Sequence, residues 1–89
     1  MEVEVRKPTK EELEQLGVKS WPIWEKEKSS FDWFYEEKET CFFLDGKVEI
    51  ELSGGKKVSI KKGDLAIFAQ GLSCKWHISK KVKKHYKFG

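Results

Sequence analysis

At 89 residues, 38% apolar and 13% aromatic, the chain is long enough for one domain with its own core, with no obligatory disulfide or metal. It holds no apolar run long enough to span a bilayer, and its opening "MEVEVRKPTK" is too charged for a secretory signal, so a non-membrane, cytoplasmic protein is expected. The net charge of +3 hides an asymmetry: residues 1–52 carry 8 basic and 14 acidic side chains, and residues 53–89 carry 10 and 1.

Val3 and Val5 alternate with charges, which predicts a short edge strand. "PTKEELEQLG" predicts a helix of about two turns, with Thr9 as cap, Glu12 completing a capping box, Leu13 and Leu16 on one side and Gly17 ending it. From residue 18 onward the chain reads as β-structure. "DGK" at 45–47 separates "ETCFFL" from "KVEIEL" and predicts a hairpin, because Asp-Gly suits a type I′ turn. "SGGKK", "KKGD" and "QGLS" predict further turns, leading into Val58 and Ile60, into "LAIFA" and into "CKWHI". Short strands with turns every 8–12 residues indicate an all-β sandwich, jelly roll or barrel over 18–89, with the strand and helix of 1–17 attached to the same single domain.

Period-two alternation places Glu39, Cys41 and Phe43 on one face of their strand, and Cys74, Trp76 and Ile78 on one face of theirs. Phe42 and Leu44 are also apolar, so that strand is expected to be covered on both faces, by the N-terminal segment or by a second subunit, and a homodimer is expected. His77 and His85 have the opposite parity to the inward residues and are expected at the surface or a dimer face. Neither forms a Cys-His pair with a third group in evidence.

With two cysteines and no secretory signal, Cys41 and Cys74 are expected as free thiols. The chain has no Asn and two Gln, while Lys and Glu supply 29 of 33 charged residues, a composition that fits a thermophilic source. The terminal "KKVKKHYKF" admits a nucleic-acid patch. It holds Val82, Tyr86 and Phe88 at strand spacing, no arginine and no aromatic motif of RNA readers. The preferred reading is therefore a solvated basic strand beside the acidic first half, and nucleic acid is disfavoured as a partner.

The glycines and acids around these turns resemble the motifs of the cupin superfamily, a double-stranded β-helix or jelly-roll barrel. Glu39 and Gly46 match the end of its first motif, and counting back puts Trp33 and Tyr35 at the places of its His-x-His pair. Gly63 and Gly71 match its second motif, with Ala69 at the proline place and Cys74 at the histidine place. Within the superfamily the chain is similar to small single-domain cupins grouped with the (S)-ureidoglycine aminohydrolase cupin domain. The Trp in "SWPIWE", the aromatics of "FDWFY" and the pair Lys84 and Tyr86 carry that likeness.

The resemblance implies a fold and a pocket. Metal cupins bind their ion with three histidines and a glutamate, and here only Glu39 keeps a family ligand. Cys41 and Cys74 add donors, so Glu39, Cys41 and Cys74 are the candidate set should a metal bind, but no metal or other cofactor is expected. On the cupin mapping Trp33, Tyr35, Glu39, Cys41, Phe43, Cys74 and Trp76 line one cavity. A buried Glu39 needs a partner, for which Lys84, Tyr35, water or a ligand are open. The expected function is binding of a small polar or aromatic metabolite inside the barrel. One alternative is an enzyme acting on a ureide, sugar derivative or small carboxylate, with Glu39 as acid/base and Cys74 or Cys41 as nucleophile. The other is a basic nucleic-acid-binding barrel.

Overall fold

A computed structural model describes residues 3–89. The elements in chain order are β1 (Val3–Arg6), α1 (Lys10–Leu16), a 3-10 turn (Val18–Ser20), β2 (Ile23–Lys26), β3 (Ser29–Phe34), β4 (Glu39–Leu52), a second 3-10 turn (Ser53–Gly55), β5 (Lys57–Lys61), β6 (Leu65–Phe68) and β7 (Ser73–Phe88). The fold is all-β, as expected, with one short helix.

Two long strands organise it. β4 and β7 pair antiparallel along their whole length, from Glu39 against Phe88 to Leu52 against Cys74. The first part of β4 also pairs with β6, which pairs with β1, and the second part pairs with β5. Likewise, the start of β7 pairs with β3 and its later part with β2. Each long strand thus serves both halves of a seven-stranded jelly roll.

The switch between halves corrects the hairpin expected at Asp45 and Gly46. β4 runs straight through these residues, and its register against β7 slips between Phe43 and Val48. Gly46 has φ 103°, and a Cβ there would lie 2.4 Å from the Lys81 carbonyl oxygen and 2.6 Å from Val82 Cα. Asp-Gly therefore forms a bulge that bends β4 where β7 crosses closest. The segments "CKWHI" and "KKVKKHYKF" are correspondingly one 16-residue strand.

The local signals around α1 hold. Thr9 Oγ1 accepts from the Glu12 amide, and Gly17 ends the helix in the left-handed region. The Glu12 carboxylate turns away to the Arg6 guanidinium at 2.7 Å, so only half of the capping box forms. The helix and the 3-10 turn after it lie over the outer face of β4, where Leu13, Val18, Phe42, Leu44 and His85 surround a groove of about 420 Å³. Phe42 and Leu44 are half-buried there, so the apolar second face of β4 is partly covered within one chain and does not by itself require a second subunit.

The alternation read from sequence points the expected side chains inward. Cys41, Phe43, Val48 and Ile50 from β4 meet Cys74, Trp76, Ile78 and Val82 from β7 in one buried cluster, closed by Ile60, Ala66 and Phe68. None of the described helices is long and apolar enough to cross a membrane.

Candidate functional site

Three polar side chains enter this apolar barrel from the paired ends of β4 and β7. Glu39 and Cys41 are two apart on β4 and share its inner face. Lys84 enters from β7, opposite Phe43 in register. Lys84 Nζ donates to Glu39 Oε2 at 2.7 Å and to Cys41 Sγ at 3.2 Å, and the Cys41 thiol donates to the same Glu39 oxygen at 2.8 Å. Both charged side chains are 5% exposed.

An ammonium buried this deeply is costly unless paired and surrounded by compensating partners. Lys84 has both. Its Nζ lies 4.8 Å from the ring centroids of Trp24 and Trp76, and about 6 Å from those of Phe43 and Phe68. Desolvated cation–π contacts of this kind are worth about 2 kcal/mol. Trp24 is aimed at Lys84 by register, since the two are partners in the β2 and β7 ladder.

Beside this cluster lies a cavity of about 180 Å³. Trp24, Phe31, Trp33, Tyr35, Trp76, Tyr86 and Phe88 wall it, and Glu39 and Lys84 provide its charged edge. Tyr35 stacks on Phe68 with centroids 4.7 Å apart, and its hydroxyl accepts from Trp76 Nε1 at 3.2 Å. Among the described residues no acceptor takes the Tyr35 proton and no donor meets Glu39 Oε1. The cavity therefore offers one hydroxyl donor and one carboxylate acceptor between aromatic walls. Burial, with the Glu39 charge second, holds the Tyr35 hydroxyl far above its ordinary range, so it is a donor at any physiological pH.

The sequence-selected residues divide in the structure. Trp33, Tyr35, Glu39, Trp76 and Lys84 line the cavity together. Trp33 sits at the mouth, 45% exposed, edge-on to Tyr35. Cys41 lies behind Glu39, and Phe43 forms part of the wall around Lys84. Cys74 does not join them. It pairs with Leu52 and Trp33, beyond the Trp33 mouth of the cavity, and borders a separate groove with Phe34, Leu52 and Ser53. Strand parity placed Cys74 on the inner side but not at the height of Glu39. Both cysteines are free thiols. Burial pushes Cys74 up to about 11, with the nearby Trp76 indole opposing, and pushes Cys41 up further.

Trp24, Phe31, Tyr86 and Phe88 belong to the site and were not selected from sequence. Phe31 shares its face with Trp33 and Tyr35, and Tyr86 and Phe88 share theirs with Lys84, so alternation already carried three of the four. The histidines lie outside the barrel, as their parity requires. His77 bonds Glu51 at 3.0 Å and Ser30 at 3.1 Å. His85 is buried under the N-terminal segment instead of facing solvent, and its Nδ1 donates to the Trp21 carbonyl at 2.9 Å.

The residues at the motif positions do not fit a metal centre. Trp33 has no donor, the Tyr35 and Cys74 protons are held firmly, and Glu39 already carries the Lys84 ammonium. Among the described residues no three of His, Cys, Asp and Glu converge. The two groups best able to hold a cation, Glu39 and Cys41, hold one that is part of the chain.

Residues 13–86 match the EutQ-like cupin domain family. The chain belongs to that family. This cupin is 52% identical to a DUF861 family protein from Thermotoga maritima, with a TM-score of 0.97 over 99% of this chain and 100% of that one. A DUF861 family protein from Pseudomonas syringae pv. tomato is 25% identical, with a TM-score of 0.69 over 75% of this chain and 29% of that one. The EutQ protein of Clostridium difficile shares the fold at 24% identity and a TM-score of 0.68, over 74% of this chain and 52% of that one. The cupin thus spans the whole Thermotoga protein, about half of EutQ and under a third of the Pseudomonas protein. A search of curated proteins returns no match.

Proposed function

We propose that this cupin is a small-molecule binding protein whose ligand is a compact, planar, polar molecule seated between the aromatic walls. The observation that carries this reading is the cavity of about 180 Å³ bearing Glu39 Oε1 and the Tyr35 hydroxyl. An engineered apolar cavity of about 150 Å³ holds benzene. The space here suits one ring, or a group of similar size, with one polar substituent. A neighbouring donor and acceptor on the wall select a ligand carrying a donor and an acceptor of its own, as an amide does. The lysine held beneath these groups places an amino group beside the carboxylate at the cavity edge.

Benzamide is a suitable probe. At about 0.5 kcal/mol for each of about nine non-hydrogen atoms, its Kd should be on the order of 1 mM. Calorimetric titration should show saturable binding that weakens several-fold in Tyr35→Phe. Heat no different from dilution up to tens of millimolar would contradict the reading.

The nucleic-acid alternative loses support from the arrangement of the basic strand. Lys80 lies 3.6 Å from Asp45, and Lys81 lies 3.9 Å and 3.4 Å from Glu25 and Glu27. Lys84 points inward. Three of the five lysines in the run are thus directed to acidic neighbours on β4, β2 and the turn after it, or to the barrel interior, which leaves Lys83 and Lys87 exposed.

A further inference from the structure

We propose that Lys84 forms an imine with a small aldehyde or ketone held in the cavity, with Glu39 carrying the protons. This rests on the binding reading above and assigns it a chemistry. The chain has 17 lysines, and Lys84 alone is buried while the others are exposed. It is also the one that lines the aromatic cavity, and its Nζ is already in contact with a carboxylate at 2.7 Å. A structural ion pair would be served equally well beneath a closed wall; this one borders a space large enough for a ring and a carbonyl group.

The step balances without an oxidant or a second reagent. The Lys84 ammonium passes a proton along its 2.7 Å hydrogen bond to Glu39, leaving a neutral amine and a neutral acid. The exchange moves no net charge, and the two groups it neutralises are already in contact. The Nζ lone pair attacks the carbonyl carbon, and a proton moves from nitrogen to the oxygen to give a carbinolamine. Glu39 returns its proton to that hydroxyl, the C–O bond breaks, and water leaves. The products are a protonated imine on Lys84 and an ionised Glu39, so the net change is ammonium plus carbonyl giving iminium plus water. The Tyr35 hydroxyl, on the same cavity wall and with its proton uncommitted among the described residues, is the donor available to the carbonyl oxygen. Cys41, bonded to both Lys84 and Glu39, holds the pair in register from behind.

The test is reductive trapping of the intact protein with benzaldehyde and sodium cyanoborohydride at neutral pH, stopped at low conversion and mapped by peptide mass spectrometry. Lys84 should carry the benzyl group at least tenfold above the mean of the exposed lysines. Excess benzamide should suppress Lys84 labelling and leave the others unchanged. Glu39→Gln should lose the preference, and Tyr35→Phe should reduce it, which keeps the test available if one variant fails to fold. Benzamide binding without preferential labelling of Lys84 would overturn the imine and leave the binding site standing. Absence of both binding and labelling would overturn both.

Discussion

Lys84 Nζ and Glu39 Oε2 meet at 2.7 Å inside the barrel, each side chain 5% exposed, at the edge of the aromatic cavity. The pair is held by strands β4 and β7 across their longest ladder, so its geometry depends on the same register that shapes the barrel. Its isolation from water makes each member depend on the other.

Removing one partner should therefore cost more than removing both. Glu39→Leu or Lys84→Met alone should destabilise the protein by about 3–5 kcal/mol, since each leaves a buried charge uncompensated. The double variant should recover most of that loss. Urea unfolding of the three proteins measures it, and additive single losses would contradict a coupled buried pair.

Gly46 and Gly54 separate backbone strain from steric conflict. Both have positive φ, but a Cβ at Gly54 meets nothing within 4 Å, whereas one at Gly46 meets the β7 backbone at 2.4 Å. Gly54→Ala should cost about 1 kcal/mol, and Gly46→Ala about 3 kcal/mol or more. Equal costs in thermal or urea unfolding would contradict the close crossing at the bulge.

The cysteines make stability fall at alkaline pH. Burial raises Cys74 from an ordinary thiol value to about 11, so the unfolded chain loses this proton first. The contribution is complete below about pH 9 and declines as pH rises towards 11, by up to about 1.4 kcal/mol per unit. Cys41, raised further, acts in the same direction. Unfolding free energies at pH 8 and 10.5 should show the decline, and Cys74→Ala should reduce it. In the native protein at pH 8, iodoacetamide should label Cys74 roughly a hundredfold slower than a free thiol. Labelling at the free-thiol rate would contradict its burial.

Much of this was legible because alternation needs only neighbours in sequence. It set Glu39, Cys41 and Phe43 on one face and Trp76 and Ile78 on another, and the structure unites them in one interior. Alternation reports a face and not a height, so it groups Cys74 with Glu39 although Cys74 lies ten positions before Lys84 on β7. Taken locally, Asp45 and Gly46 signal a hairpin, but the deciding contact is with Lys81 and Val82, far away in sequence. Trp24 enters the site through its pairing with Lys84, a register that no short segment encodes. Lys84 was one of several partners open to Glu39, and the ladder between β4 and β7 selects it.

The most direct test of the binding site uses the four tryptophans as reporters, through their indole N–H resonances during a benzamide titration. Trp24, Trp33 and Trp76 line the cavity, while Trp21 lies on the other side of β7 with its carbonyl on His85. Saturable shifts are expected for Trp24, Trp33 and Trp76, with Trp21 unmoved. Saturable shifts confined to Trp21, or no shifts at saturating benzamide, would contradict it.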